Sequence, residues 1–300
     1  IDIRVGLYTN LTPDHLDLHG TLEAYGDAKS LKFRGLPSDG HAILNADDPF
    51  SAQLRAACAC RVFTYGVAHP CDLAAAVRDE DRRGIRAEII WNGRRAEIAL
   101  PLHGAHGVSN ALAACGAALA VGRDFDELAE RLETLPPVLG RWQVFEREDG
   151  IDAIVDYAHT PDGLEHVLGA LRRLYPSLVV VFGCAGGSDR GKRAQMGAIA
   201  GRYADVVVVT TDNPKEEDPA AIAREIGAGV AGTPARSERV LDRREAIVQA
   251  VARARPGGAV LLAGKGHETY QIVRGAFVPH SDSAELERLG FRPLQPGGSP

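Results

Sequence analysis

The chain has 300 residues, 45% of them hydrophobic and 25% charged, with a formal net charge of -6. That length and balance suit one large or two ordinary globular domains and exclude a disordered chain, while the acidic excess argues against a nucleic-acid backbone as partner. No apolar run approaches the ~18 residues of a membrane span, and the opening "IDIRVGLYTN" lacks the charged-then-apolar form of a signal peptide, so a cytoplasmic setting is expected. The five cysteines, Cys58, Cys60, Cys71, Cys115 and Cys184, are odd in number and form no C-x-x-C pair. They are expected to be small buried apolar residues rather than zinc ligands or disulfides.

In chain order, "IRVGLYTN" reads as a strand, "TLEAYGDAKSLKFRG" as an amphipathic helix ended by Gly35, and "HAILNADDP" as a strand entering a polar turn. Between Cys71 and Leu100, turn signals at Arg83-Gly84 and Asn92-Gly93 separate short alternating runs, which predicts an antiparallel ribbon. Two helices follow, "HGVSNALAACGAALAVG" and "DFDELAERLETL", and then Pro136, Pro137 and Gly140 mark a hinge or domain boundary.

Beyond the hinge the apolar runs "IDAIVDY", "LVVVFG", "DVVVVT" and "GAVLLAG" alternate with helical segments. Val, Ile and Leu runs without polar alternation are strands covered on both faces, so this half is expected to be a mostly parallel, doubly wound sheet. Ligands of such sheets gather at the carboxyl ends of the strands. There the sequence places "AHTPD", "CAGGSDRGKR", "TDNPKEEDP" and "KGHETYQ". Taken alone, Asp212-Asn213-Pro214 reads as a turn and helix cap; four polar loops together point to one crevice.

One of these loops has the spacing G-x-x-x-x-G-K from Gly186 to Lys192. A P-loop needs a Ser or Thr hydroxyl for Mg²⁺ at the next position, and Arg193 stands there. In the first half, Asp14, His15, Asp17 and His19 lie within six positions, a polar helix-capping loop or a set of oxygen and nitrogen donors for Mg²⁺.

The stretches "TNLTPDHLDLHG" with Lys29, "NADD", "HGVSN", "GRW", "DYAHTPD", "FGCAGGSDRGKR", "DNPKEEDP" and "GKGHETYQ" together closely resemble the Mur ligases of peptidoglycan synthesis, in particular the member adding the third amino acid. The resemblance implies an α/β chain: a partial central ATPase domain over residues 1–138, then a Rossmann-like C-terminal amino-acid-binding domain over 139–300. It implies ATP as co-substrate, Mg²⁺, a UDP-N-acetylmuramoyl dipeptide acceptor and a diamino acid, meso-diaminopimelate or L-lysine or L-ornithine, joined through an acyl phosphate. Carried over by motif, His15 and Lys29 belong to a catalytic Mg²⁺ site, with Lys29 carbamylated. Asn45, Asp48, Asn110, Asp156 and His159 fall on the nucleotide side. Ser188, Arg190, Asp212, Asn213, Lys215, Gly264 and Glu268 fall on the amino-acid side, Glu268 suiting an ammonium group.

Two departures concern the third amino acid. Where diaminopimelate-adding members have arginines, this chain has Lys215 and Ser188, with Arg190 and Arg193 the nearby residues to stand in. The family's N-terminal uridine-nucleotide domain and its G-T-x-G-K-T loop are not in these residues, so the isolated chain is expected to be a C-terminal portion that does not turn over alone. The rival readings are an independent P-loop kinase, a non-catalytic binding protein derived from a ligase, and another amino-acid ligase such as a folylpolyglutamate or cyanophycin synthetase.

Overall fold

The short apolar runs at the start of the chain assemble into the first of two large sheets. The computed structural model describes residues 3–12, 16–136 and 138–294, and divides into two units, Ile1–Pro136 and Pro137–Pro300. Unit 1 comprises β1 (Val5–Tyr8), α1 (Leu16–His19), α2 (Leu22–Arg34), β2 (His41–Asn45), α3 (Ser51–Ala57), β3 (Arg61–Gly66), β4 (Leu73–Asp81), β5 (Gly84–Trp91), β6 (Arg94–Leu100), α4 (Gly104–Ala120) and α5 (Phe125–Glu133). The six strands form one sheet in sequence order, parallel from β1 to β4 and antiparallel from β4 to β6. The ribbon expected between Cys71 and Leu100 is its antiparallel half.

Alternation along β2 sorts the core of this unit. Ile43 faces a cluster with Tyr65, Leu73 and residues of α4 and α5, whereas Ala42 and Leu44 face one with Phe33 and Leu54 from α2 and α3. Helix α2 starts where Thr21 accepts a hydrogen bond from the Ala24 N–H, and it stops at Gly35. The sequence reading did not foresee α3 and β3.

Unit 2 comprises β7 (Gln143–Glu146), β8 (Asp152–Asp156), α6 (Pro161–Leu174), β9 (Leu178–Phe182), α7 (Gly191–Tyr203), β10 (Val206–Val209), α8 (Pro219–Val230), β11 (Arg236–Arg239), α9 (Arg243–Arg253), β12 (Ala259–Ala263), β13 (Tyr270–Val273), β14 (Ala276–Pro279), α10 (Asp282–Arg288) and β15 (Arg292–Pro293). Its main sheet runs β11-β10-β9-β12-β8-β7-β15, with the first five strands parallel and β7 and β15 antiparallel to their neighbours. Every residue of β8, β9 and β12 is buried. One face carries a core with α6, α7 and α8, and the other a core with α9 and α10. This is the doubly wound α/β architecture expected from unbroken apolar runs.

Two local expectations need correction. Helix α8 is capped by Asp218, whose side chain accepts from the Ala220 N–H, so Asp212 and Asn213 are not its cap. Only Cys115 and Cys184 are buried; Cys58, Cys60 and Cys71 are half-buried, the first two at the edge of the α2–α3 cluster, and all five are free. The turn at Arg274-Gly275 joins β13 and β14 in a hairpin that the sequence reading passed over.

Candidate active site

In unit 1 the end of β1 and the inner face of α2 enclose a pocket of about 320 Å³ lined by Leu7, Tyr8, Thr9, Tyr25, Lys29, Lys32 and neighbours. The Lys29 ammonium donates to the Asn10 carbonyl at 3.0 Å and lies 4.7 Å from the centre of the Tyr25 ring. Asn45 donates to the Thr9 carbonyl at 2.7 Å. Asp48 accepts from the Tyr8 hydroxyl at 2.8 Å and from the Leu11 N–H at 2.9 Å. These two side chains therefore fix the Thr9–Leu11 segment over which Lys29 is placed. Burial, with Asp48 beside it, pushes the Tyr8 phenol well above its ordinary range.

The neighbouring candidates divide. Asp14 and His15 lie outside the described residues; His19 stacks on Tyr25 with ring centres 4.9 Å apart. Asn110 is exposed on α4. Among the described residues, no three His, Cys, Asp or Glu side chains converge to hold a metal ion.

In unit 2 the loops after β8, β10 and β12 do come together. Asp156, at the end of β8, accepts from the Trp142 N–H at 2.7 Å and the Ala158 N–H at 2.8 Å, fixing the "GRW" turn against the "AHTPD" loop. Gly140 in that turn has a φ of 67°, and a Cβ there would sit 2.0 Å from the His267 nitrogen. Only glycine lets this turn lie directly on the Gly266-His267 peptide. His159 is exposed, bonded through Nδ1 to the Tyr157 carbonyl at 2.9 Å and packed edge-on against the Tyr157 ring. Arg141 covers the same ring at 4.5 Å and His267 lies 5.7 Å from it.

The centre of the cluster is Lys265, which the sequence reading did not single out. Its side chain is wholly buried and donates to Asn213 Oδ1 at 2.9 Å and Glu268 Oε2 at 2.6 Å, with Asp212 Oδ1 at 3.7 Å. Asn213 Nδ2 donates to the same Glu268 oxygen at 3.0 Å. Burial pushes Glu268 up, but the hydrogen bonds from Lys265 and Asn213 outweigh it and hold the carboxyl below its ordinary value. Glu268 Oε1 accepts no hydrogen bond among the described residues. Asp212, almost fully buried, is pushed up by that burial despite Arg243 and Lys265 nearby. Gly264 brings the two loops together: its φ is 101°, and a Cβ would lie 2.9 Å from Asp212 Oδ2. The signal available in the sequence was a lysine between two glycines after a buried strand, where a charged residue has no solvent route.

The loop with P-loop spacing is not a phosphate cradle. Its N–H groups are already engaged: Gly186 with the Asn213 carbonyl at 2.9 Å, Gly187 with Glu217 Oε1 at 2.7 Å and Gly191 with Asp189 Oδ1 at 2.8 Å. A carboxylate stands where a phosphate would have to bind. Ser188 donates to the Ala185 carbonyl at 2.8 Å. Arg190 pairs with Glu225, and Arg193 is buried between Glu217 and Glu225 at 2.8–2.9 Å. Both arginines named as stand-ins for a substrate-gripping residue are thus engaged within the protein. Lys215 is exposed and makes no side-chain hydrogen bond among the described residues, and its side chain reaches over Gly187.

Residues 1–118 match the Mur ligase middle domain and residues 140–266 match the Mur ligase glutamate ligase domain. The chain belongs to the Mur ligase family. Among its relatives is the UDP-N-acetylmuramoyl-L-alanyl-D-glutamate--2,6-diaminopimelate ligase of Chlorobaculum tepidum, 41% identical over 296 residues, covering 95% of this chain and 58% of the relative. The ligase of the same name from Gloeobacter violaceus is 43% identical over 287 residues, with 95% and 58% covered. A solved structure of a ligase of that name aligns at a TM-score of 0.62 and 35% identity over 96% of this chain and 60% of its own. MurF from Acinetobacter baumannii, at a TM-score of 0.72 and 19% identity over 96% of this chain and 60% of its own, shares the fold. This Mur ligase chain spans under two thirds of the length of the relatives it matches. The resemblance carried by the motifs is borne out at the level of the family, and with it the α/β fold.

Proposed function

We propose that this chain is part of an ATP-dependent amide-bond ligase that adds a diamino acid, first among them 2,6-diaminopimelate, to UDP-N-acetylmuramoyl-L-alanyl-D-glutamate. The names of relatives above 40% identity supply the reaction class. The observation that carries the reading for this chain is Glu268: one oxygen is saturated by Lys265 and Asn213, and the other is left for an incoming ammonium group. Asp212 lies behind it, and Gly264 permits close approach. The far end of a diamino acid would meet Lys215, a single point charge without the bidentate fork of arginine. In unit 2, Arg141 and Tyr157 form a cation-capped aromatic face beside His159 that suits a nucleotide's ring and phosphates.

In this reading the chain's own residues bind and orient. Glu268 and Asn213 hold the amine, and the buried Lys265 keeps their geometry fixed. Lys29 is the site of a carbamate that would turn an ammonium into an anion, and its pocket has room for the added group. Mg²⁺ would neutralise the transferring phosphoryl group in such a ligase. The described residues alone do not fit it, because Lys29 as an ammonium repels a cation and no three acidic or imidazole ligands converge. No step is routed through the metal here.

The test is phosphate release from ATP with Mg²⁺ and the UDP-muramoyl dipeptide. The chain is assayed alone and joined to the part of the Chlorobaculum tepidum relative that it does not cover. Release stimulated by 2,6-diaminopimelate, L-lysine or L-ornithine supports the reading and ranks the amino acids. Release indifferent to every amino acid, or stimulated by L-glutamate instead, contradicts it.

A further inference from the structure

Arg243 belongs to none of the motifs that carry the family resemblance, yet it is one of the largest wholly buried side chains in the protein. It opens α9 after the cap residue Asp242 and two residues on from Leu241, whose carbonyl accepts from the Thr210 hydroxyl and the Thr211 N–H just past the end of β10. Its guanidinium donates through Nε and Nη2 to the two oxygens of Asp282, at 2.8 and 2.7 Å, and through Nη2 to the Ala263 carbonyl at 3.0 Å. Asp282, the first residue of α10, also bonds His280 Nε2 at 2.8 Å. Nη1 is buried without a hydrogen-bond partner.

The cation thus ties the end of β12 just before Gly264 to the start of α10, while the loop that carries Asp212 is joined through Leu241 to the residues that lead into α9. We propose that Arg243 is a positioning residue of the amino-acid site, setting the Ala263-Gly264 backbone and placing a buried positive charge behind Asp212 so that this carboxylate can face the substrate ammonium. The inference rests on the reading of the Glu268 cluster given above. The charge count motivates it. Asp212, Glu268 and Asp282 are three carboxylates against two fixed cations, Lys265 and Arg243, so an arriving ammonium completes a balanced set. Without Arg243 the burial that already pushes Asp212 up would go unopposed from the α9 side, and Asp212 would hold a proton in place of the ligand. The groups facing Asp212 are Arg243 from α9, Lys265 and Glu268 from the loop after β12, and Asp282 with its partner His280 at α10.

The experiment is calorimetric titration of the whole chain with 2,6-diaminopimelate and with L-lysine, from pH 6 to pH 9. It uses the unaltered protein, Arg243→Lys, and the double variant Arg243→Met/Asp282→Leu. The double variant removes the pair together and leaves neither of its charges stranded, while His280 and the Ala263 carbonyl each lose one hydrogen bond; circular dichroism checks that it folds. The ammonium binds the ionised carboxylate, so affinity falls as pH drops through the Asp212 value, and raising that value moves the fall to higher pH. We expect the double variant to shift its pH profile upward, because Arg243 holds Asp212 down more strongly than Asp282 pushes it up, and to lose about threefold or more in affinity at pH 6 through that shift and the lost Ala263 contact. Arg243→Lys should keep the profile and lose affinity only through the Ala263 contact. A folded double variant with unaltered affinity and profile overturns the inference while leaving the site intact. If the double variant does not fold, Arg243→Lys decides: lower affinity at an unchanged profile supports the inference, and unaltered affinity overturns it. An unaltered chain that binds neither amino acid overturns the reading of the site and the inference together.

Discussion

Replacing Lys265 with methionine keeps the length of the side chain and deletes its charge at the centre of the unit 2 cluster. The ammonium is wholly buried with Asn213 and Glu268 in hydrogen-bond range and Asp212 at 3.7 Å, so the substitution strands two carboxylates. Removing one partner of a buried pair costs about 3–5 kcal/mol. At about 2–4 °C per kcal/mol for a domain of this size, the melting temperature of unit 2 should fall by roughly 6–20 °C at pH 7. The sign of the pH dependence follows from Glu268. Its carboxyl is held below the ordinary value in the folded protein, so this contribution is present above pH 4.5 and is lost as pH falls through the folded value. The gap between variant and parent should therefore narrow from pH 7 to pH 4, as Glu268 and Asp212 in the variant accept protons in place of the missing cation. Differential scanning calorimetry at three pH values measures this. A drop under 2 °C at pH 7, or a gap that does not change with pH, would refute the argument that Lys265 neutralises this cluster.

Gly264→Ala should destabilise unit 2 by about 1–3 kcal/mol from its φ of 101° alone, before the added methyl displaces Asp212; urea unfolding with an unchanged slope reads it directly. Arg193 holds Glu217 down to about 2 by hydrogen bonding, so the stability from that contact is present above pH 4.5 and is lost as pH falls towards 2. Arg193→Met should accordingly lower the melting temperature at pH 7 more than at pH 3. Lys192→Ala should leave ATP binding intact, because the loop around Gly187 is closed by Glu217; loss of binding in equilibrium dialysis would restore the phosphate-cradle reading. Intact-mass spectra in bicarbonate should show one carbon dioxide adduct that acidification removes and Lys29→Arg abolishes.

Much of the fold was legible because burial leaves a strong mark on composition. The runs around Val155, Val180, Val208 and Leu261 have no polar alternation, which only strands covered on both faces can sustain, and they form the parallel centre of the unit 2 sheet. The edges were less legible. Strand β11, Arg-Ser-Glu-Arg, lies at the sheet margin with three of its four residues exposed and carries no apolar signal. In the site, Asn213, Gly264 and Glu268 were found through motifs and are brought together by the fold, though their role remains a proposal. Arg243 and Lys265 were passed over because a charged residue in a single sequence reads as surface until its burial is seen. Arg193 was misjudged for the same reason: proposed as a substrate contact, it is sealed between Glu217 and Glu225.

The most direct test of the central claim is titration of 2,6-diaminopimelate into the whole chain and into Glu268→Gln at pH 8. The variant keeps the shape and the hydrogen bonding to Lys265 while removing the negative charge offered to the amine. The account predicts saturable binding to the unaltered chain and about tenfold or greater loss in the variant. Equal affinity in the two proteins, or no binding to the unaltered chain, would contradict it.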